Sequence, residues 1–168
     1  MKIFAITTLV LLCATAAFAG DTKMPVAPNG ITMFAGYESW QTIAPSYRPD
    51  KGHLRLILGN DLAMKSYKAG TRPFADGAVL AKVAWTTRKH PRFPTAVMPD
   101  KFVQVEFMVK DAVKYKSTGG WGFARFIGTE LLPYGKDAGF VQECFGCHMP
   151  MGGNNDFLFT DLPERAQP

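Results

Sequence analysis

The sequence predicts an α+β fold, a small antiparallel β-sheet with packed helices, and three observations carry that prediction. Residues Phe102 to Val109 alternate, with Gln104 and Glu106 on one face and Val103, Val105, Phe107 and Val109 on the other. Ala78 to Trp85 is an apolar run entered from the turn Asp76-Gly77. Trp121 to Ile127 follows the turn at Thr118-Gly119-Gly120 and reads as another strand.

Along the chain, the Pro/Gly-rich stretch from Lys23 to Gly30 reads as an ordered arm rather than a domain linker. A short helix is expected within Tyr37 to Tyr47. His53 to Leu58 reads as a strand ended by Gly59-Asn60. Asp61 then caps a helix through Met64 to Lys68 that stops at Gly70. The segment before Cys144 is expected to be helical, and Phe157 to Thr160 to form a final short strand. There is no internal repeat and no low-complexity segment, so residues 20–168 read as one domain.

The chemistry is concentrated in Cys144-Phe145-Gly146-Cys147-His148, a C-x-x-C-H run. This is the attachment signature of a covalently bound c-type haem. Two thiols at this spacing can each form a thioether to a haem vinyl group, and the adjacent imidazole becomes the proximal iron ligand. A zinc site would need two more ligands at useful spacing, and His53 and His90, the only other histidines, are far away in sequence. A redox dithiol would be expected near the start of a βαβ unit.

The N-terminus supports export. Met1-Lys2 is a short basic region, Ile3 to Phe18 is apolar or small, and Ala17-Phe18-Ala19 resembles a cleavage site, so residues 1–19 read as a signal peptide and the protein as periplasmic. Leu12 argues against a lipid anchor at Cys13, and no other stretch is apolar enough to cross a bilayer. The formal charge of +5 falls to +4 when Lys2 leaves with the leader. That modest excess is dispersed and does not resemble a nucleic-acid footprint.

A class I cytochrome c carries its haem motif early and a methionine ligand downstream, whereas here only 20 residues follow His148. An ordinary cytochrome c′ is a four-helix bundle, and this chain is too strand-like for one. Met149 and Met151 sit too close to His148 to reach the opposite haem face, so five-coordinate iron is expected. An open site favours chemistry or gas binding over electron carriage alone.

Lys82 interrupts a strand whose two faces are both apolar, with Val79, Ala81, Val83 and Trp85 on one side and Ala78, Leu80 and Ala84 on its own. Such a lysine must snorkel to water, pair with an acid, or be used, because an unpaired buried ammonium is costly. A desolvated amine is more often neutral and hence nucleophilic.

The run Phe74 to Lys82, preceded by Arg55 on an earlier strand and followed by the late C-x-x-C-H and Phe157-Leu158-Phe159-Thr160, resembles the cytochrome P-460 family over nearly the whole mature chain. The resemblance implies a haem bound near the C-terminus, a second covalent link from Lys82 to a haem meso carbon, a commonly dimeric protein, and oxidation of hydroxylamine to nitrous oxide or nitric oxide. It makes Cys144 and Cys147 the thioether anchors, His148 the proximal ligand, and Arg55 the pocket arginine, either donating to a bound ligand or pairing with a haem propionate. Phe74 would cap the distal face or simply pack in the core, while Arg125 reads as structural or as a propionate partner.

Proton removal calls for a carboxylate. Asp137 is taken for that role ahead of Glu143 and Glu130. The partners implied are hydroxylamine or nitric oxide, a soluble redox protein such as another c-type cytochrome, and a second copy of the chain. The alternative is a gas-binding protein like the β-type cytochromes c′, which resemble this family, lack the lysine bond, and use pockets crowded by phenylalanines.

Overall fold

The computed structural model describes residues 23–164. The signal peptide expected over residues 1–19 lies outside them. Six strands form one antiparallel sheet in which each pairs with its neighbour in sequence: β1 (Gln41–Arg48), β2 (His53–Gly59), β3 (Val79–His90), β4 (Phe93–Lys110), β5 (Trp121–Ile127) and β6 (Leu132–Pro133). Two helices accompany it, α1 (Asp61–Ala69) between β2 and β3 and α2 (Val141–His148) after the sheet. The fold is α+β, as the alternating segments require.

Both sheet faces are covered, which is why β3 is apolar on both sides. Val79, Ala81, Val83, Val105, Phe107 and Phe126 pack against the N-terminal arm through Ala27, Ile31, Met33 and Tyr37. On the opposite face Ile57, Ala78, Leu80 and Phe123 meet α1 through Ala63, Met64 and Tyr67, and the chain after α2 through Leu158. Cys144 borders both cores and brings α2 to the end of the sheet where they meet.

Four expectations differ from the structure. The region given to a short helix keeps only a single turn at Tyr37–Ser39 and then runs as β1, whose buried Ile43 and Ala44 pack under α1. β3 and β4 run past the end of β2 as a two-stranded ribbon closing at His90 and Phe93, so polar residues such as Arg88 and Lys101 stand in strands whose alternation alone would have ended earlier. Phe157 to Thr160 pairs with no strand, because Asp156 and Phe157 adopt left-handed backbone angles (φ 49° and 63°) that turn the chain out of extension. Asn60, not Asp61, caps α1.

The Asn60 side chain accepts from Ala63 N at 3.0 Å and from Val79 N at 3.0 Å, and donates to Gly77 O at 2.9 Å. One amide thus starts a helix and fixes the entrance of the central strand. Asn60→Ala is expected to cost about 1–2 kcal/mol, the upper end of a lost cap because three partners go with it. The urea midpoint should fall with an unchanged slope, and a loss below about 0.5 kcal/mol would reduce Asn60 to a replaceable turn residue.

Candidate functional site

The strand register arranges polar groups in a row across the α1 face of the sheet. Lys82 on β3 pairs with Ile57 on β2 and Glu106 on β4, and Glu106 pairs in turn with Arg125 on β5. Directly opposed residues share a face, so the three charged side chains meet. Lys82 Nζ is ion-paired with Glu106 Oε2, and Arg125 Nε donates to Glu106 Oε1 at 2.8 Å. Burial pushes the Glu106 carboxyl up, but Lys82 and Arg125 more than offset it and hold the group below its ordinary range. Lys82 therefore resolves its burial by pairing with an acid. Arg125 also lies over the Tyr134 ring at 4.4 Å, and Tyr134 Oη donates to Glu143 at 2.9 Å.

Lys82, Glu106, Arg125 and Glu143 line one side of a cavity of about 490 Å³. Arg55, Ser46 and Arg48 line it from β1 and β2, while Cys144, Cys147 and His148 line it from α2. Leu80, Met108, Phe123 and Leu158 supply apolar wall. Arg55 Nη2 donates to Ser46 Oγ at 2.5 Å, but its Nε is buried without a hydrogen-bond partner among the described residues. Burial, and then repulsion from Arg48, lowers the Arg55 pKa. A buried guanidinium N–H without a partner is a donor awaiting an acceptor.

His148 is prepared as a ligand. Its Nδ1 stands 2.8 Å from Phe157 O, and because a carbonyl can only accept, Nδ1 carries the proton and Nε2 keeps its lone pair for a metal. Burial lowers the imidazole pKa, against the hydrogen bond to Phe157, which favours the neutral ligand form. The ring packs against Phe123 at 5.3 Å and Phe159 at 4.8 Å. Cys144 and Cys147 are both free thiols, and burial raises the pKa of Cys144.

The residues present fit a haem. One cavity of cofactor size, largely apolar, holds both thiols of the attachment signature, a histidine of fixed tautomer and an unmatched arginine donor. Of the sequence-derived candidates, Lys82, Arg55, Arg125, Glu143, Cys144, Cys147 and His148 are brought together.

Two others are not. Asp137 is exposed and spends its carboxylate on a local turn, accepting from Gly139 N at 2.8 Å, and it does not line this cavity. Phe74 packs edge-on against Tyr67 at 4.8 Å and lies under Arg72, within the core and off the cavity wall. An acid on this cavity that the sequence reading did not single out is Glu106. Its signal was present, since it occupies the one face of β4 that the alternation separates from the apolar core.

No helix among the described residues is long and apolar enough to span a membrane. No curated protein matches the chain. The profile of the family described as Cytochrome P460 matches residues 34–160, from the start of the arm's last turn to the end of the segment that closes over His148. With the attachment signature, the fixed histidine and the lysine facing one haem-sized cavity, the chain belongs to the Cytochrome P460 family and is a haem protein of c type.

Proposed function

We propose that the chain is a periplasmic haem oxidoreductase that oxidises hydroxylamine, with the haem held by thioethers at Cys144 and Cys147, by His148, and by a further bond from Lys82. The observation that carries this reading is the placement of Lys82 on the same cavity as the attachment helix, beside a carboxylate able to accept its proton. Bound haem supplies an iron that can take up a small nitrogenous molecule and receive its electrons. The chain's own residues do the rest. Arg55, steadied by Ser46, offers an N–H to an oxygen or nitrogen in the cavity. Glu106, held by Arg125 Nε, serves as proton acceptor, in the role the sequence assigned to Asp137.

In a cross-linked protein Lys82 Nζ, carrying a haem carbon in place of a hydrogen, would no longer be an ammonium cation. Glu106 would keep Arg125 alone, and its proton affinity would rise toward what a general base at neutral pH needs. The apolar walls exclude water around the pair. A soluble acceptor such as another c-type cytochrome would take the electrons, and the working unit would be a dimer.

The test is the absorption spectrum of the reduced protein beside that of Lys82→Ala. A Soret band far to the red in the wild type, returning to the ordinary c-type position in the variant, together with hydroxylamine turnover only in the wild type, is the expected result. Identical high-spin spectra and no turnover would overturn it. They would leave the second reading, a nitric oxide binder, which the Phe123 and Phe159 rings on the cavity wall favour.

A further inference from the structure

The carbonyl that fixes His148 belongs to a segment the fold holds with unusual force. Phe157 and the residue before it both stand at positive φ, which side-chain-bearing residues keep only when their surroundings over-determine them. The surroundings here are Asp156. Its Oδ1 is 2.6 Å from Lys110 Nζ, its Oδ2 accepts from Phe74 N at 2.8 Å, and its backbone carbonyl accepts from Trp121 Nε1 at 2.9 Å.

Both charges are buried, with side-chain exposures of 4% for Lys110 and 5% for Asp156. Lys110 Nζ lies over the Trp121 ring at 4.9 Å. The Phe157 ring fills the space beside Gly119 and Gly152, where a Cβ on either would collide with it. Asp156 is thus tied to the end of β4, the start of β5 and the loop entering β3, one residue before the carbonyl that faces His148.

A buried ion pair is weak as a source of stability, because desolvation offsets its attraction and apolar replacements of similar size are often as stable. Its use is better sought in geometry. We infer that the Lys110–Asp156 pair is a positioning device for the haem ligand: it aims the Phe157 carbonyl at His148 Nδ1 and thereby sets how strongly the imidazole donates to iron. A histidine whose N–H is firmly hydrogen-bonded is the more basic ligand and favours ferric over ferrous iron. The inference requires His148 as ligand, which family membership supports, but not hydroxylamine oxidation; it applies equally to a gas binder.

The decisive variant is the double substitution Lys110→Met with Asp156→Asn, in the haem-loaded protein. It removes both charges, keeps an oxygen to accept from Phe74 N, and is expected to fold with a thermal midpoint near that of the wild type. The iron–histidine stretch in the resonance Raman spectrum of the reduced protein should move to lower frequency and broaden, and the reduction potential should rise.

Asp156→Asn alone should shift both in the same direction with a lower midpoint. Met64→Ala, a core deletion in α1 that removes none of the partners of Asp156, should lower the midpoint and leave both readouts in place. An unchanged stretch and potential in the folded double variant would overturn the inference. So would a shift of equal size in Met64→Ala, which would make the effect one of general loosening.

Discussion

On the proposed function, Glu106→Gln should lower the turnover number for hydroxylamine about 10²–10⁴-fold while haem content stays near one per chain, because the amide keeps the size of the carboxylate but cannot take a proton. Asp137→Asn, which alters only the exposed Gly139 turn, should leave turnover within about twofold, since surface substitutions away from special features are usually mild. The reverse pattern would return the proton-acceptor role to Asp137. In the haem-free chain, where Lys82 keeps its ammonium, the first substitution also costs stability: Lys82 and Arg125 lose their shared anion, at about 1–3 kcal/mol. The pH dependence follows from the depressed pKa of Glu106. Its contribution is complete above the ordinary glutamate value of 4.5 and is lost as pH falls through the lower folded value. Acid unfolding should therefore be less steep in Glu106→Gln than in the wild type.

The largest loss of stability is expected at Trp121, which is 0% exposed. Its ring meets Phe74 at 5.8 Å and carries Lys110 Nζ above it, its Nε1 donates to Asp156 O, and its carbonyl accepts from Thr118 Oγ1 at 2.7 Å. Trp121→Ala removes a large fully buried side chain and leaves a buried carbonyl without its donor, at about 3–5 kcal/mol, a large share of an ordinary domain's total. That corresponds to roughly 6–20 °C in Tm. Trp121→Phe keeps most of the packing and loses only the donor, so about 1–3 kcal/mol is expected. Urea titration separates the two; a loss under about 1 kcal/mol for Trp121→Ala would show that the site collapses around the deletion.

The sheet was legible because its strands sit between two cores: apolar on both faces in β3, alternating in β4 where one face carries the charged row. Lys82 stood out for the same reason, as the charge in a doubly buried strand. Glu106 did not stand out, because an acid on the polar side of an alternating strand looks like a solvated residue until the register sets it opposite Lys82 and Arg125. Asp137 was attractive by nearness in sequence to Cys144, yet an acid one turn ahead of a helix satisfies local N–H groups first. Phe157 to Thr160 read as a strand from its rings. Its course is set instead by Asp156, whose partners come from three distant parts of the chain.

Because every strand is hydrogen-bonded to its neighbour in sequence, the sheet needs no long-range crossover to assemble. Successive hairpins can complete the wall carrying Arg55, Lys82, Glu106 and Arg125 once the chain has reached Ile127. The helix with both thiols and the imidazole comes afterwards, and the Asp156–Leu158 segment closes last. The order of the chain thus permits an order of assembly in which the basin precedes the reactive sulfurs that would anchor its contents.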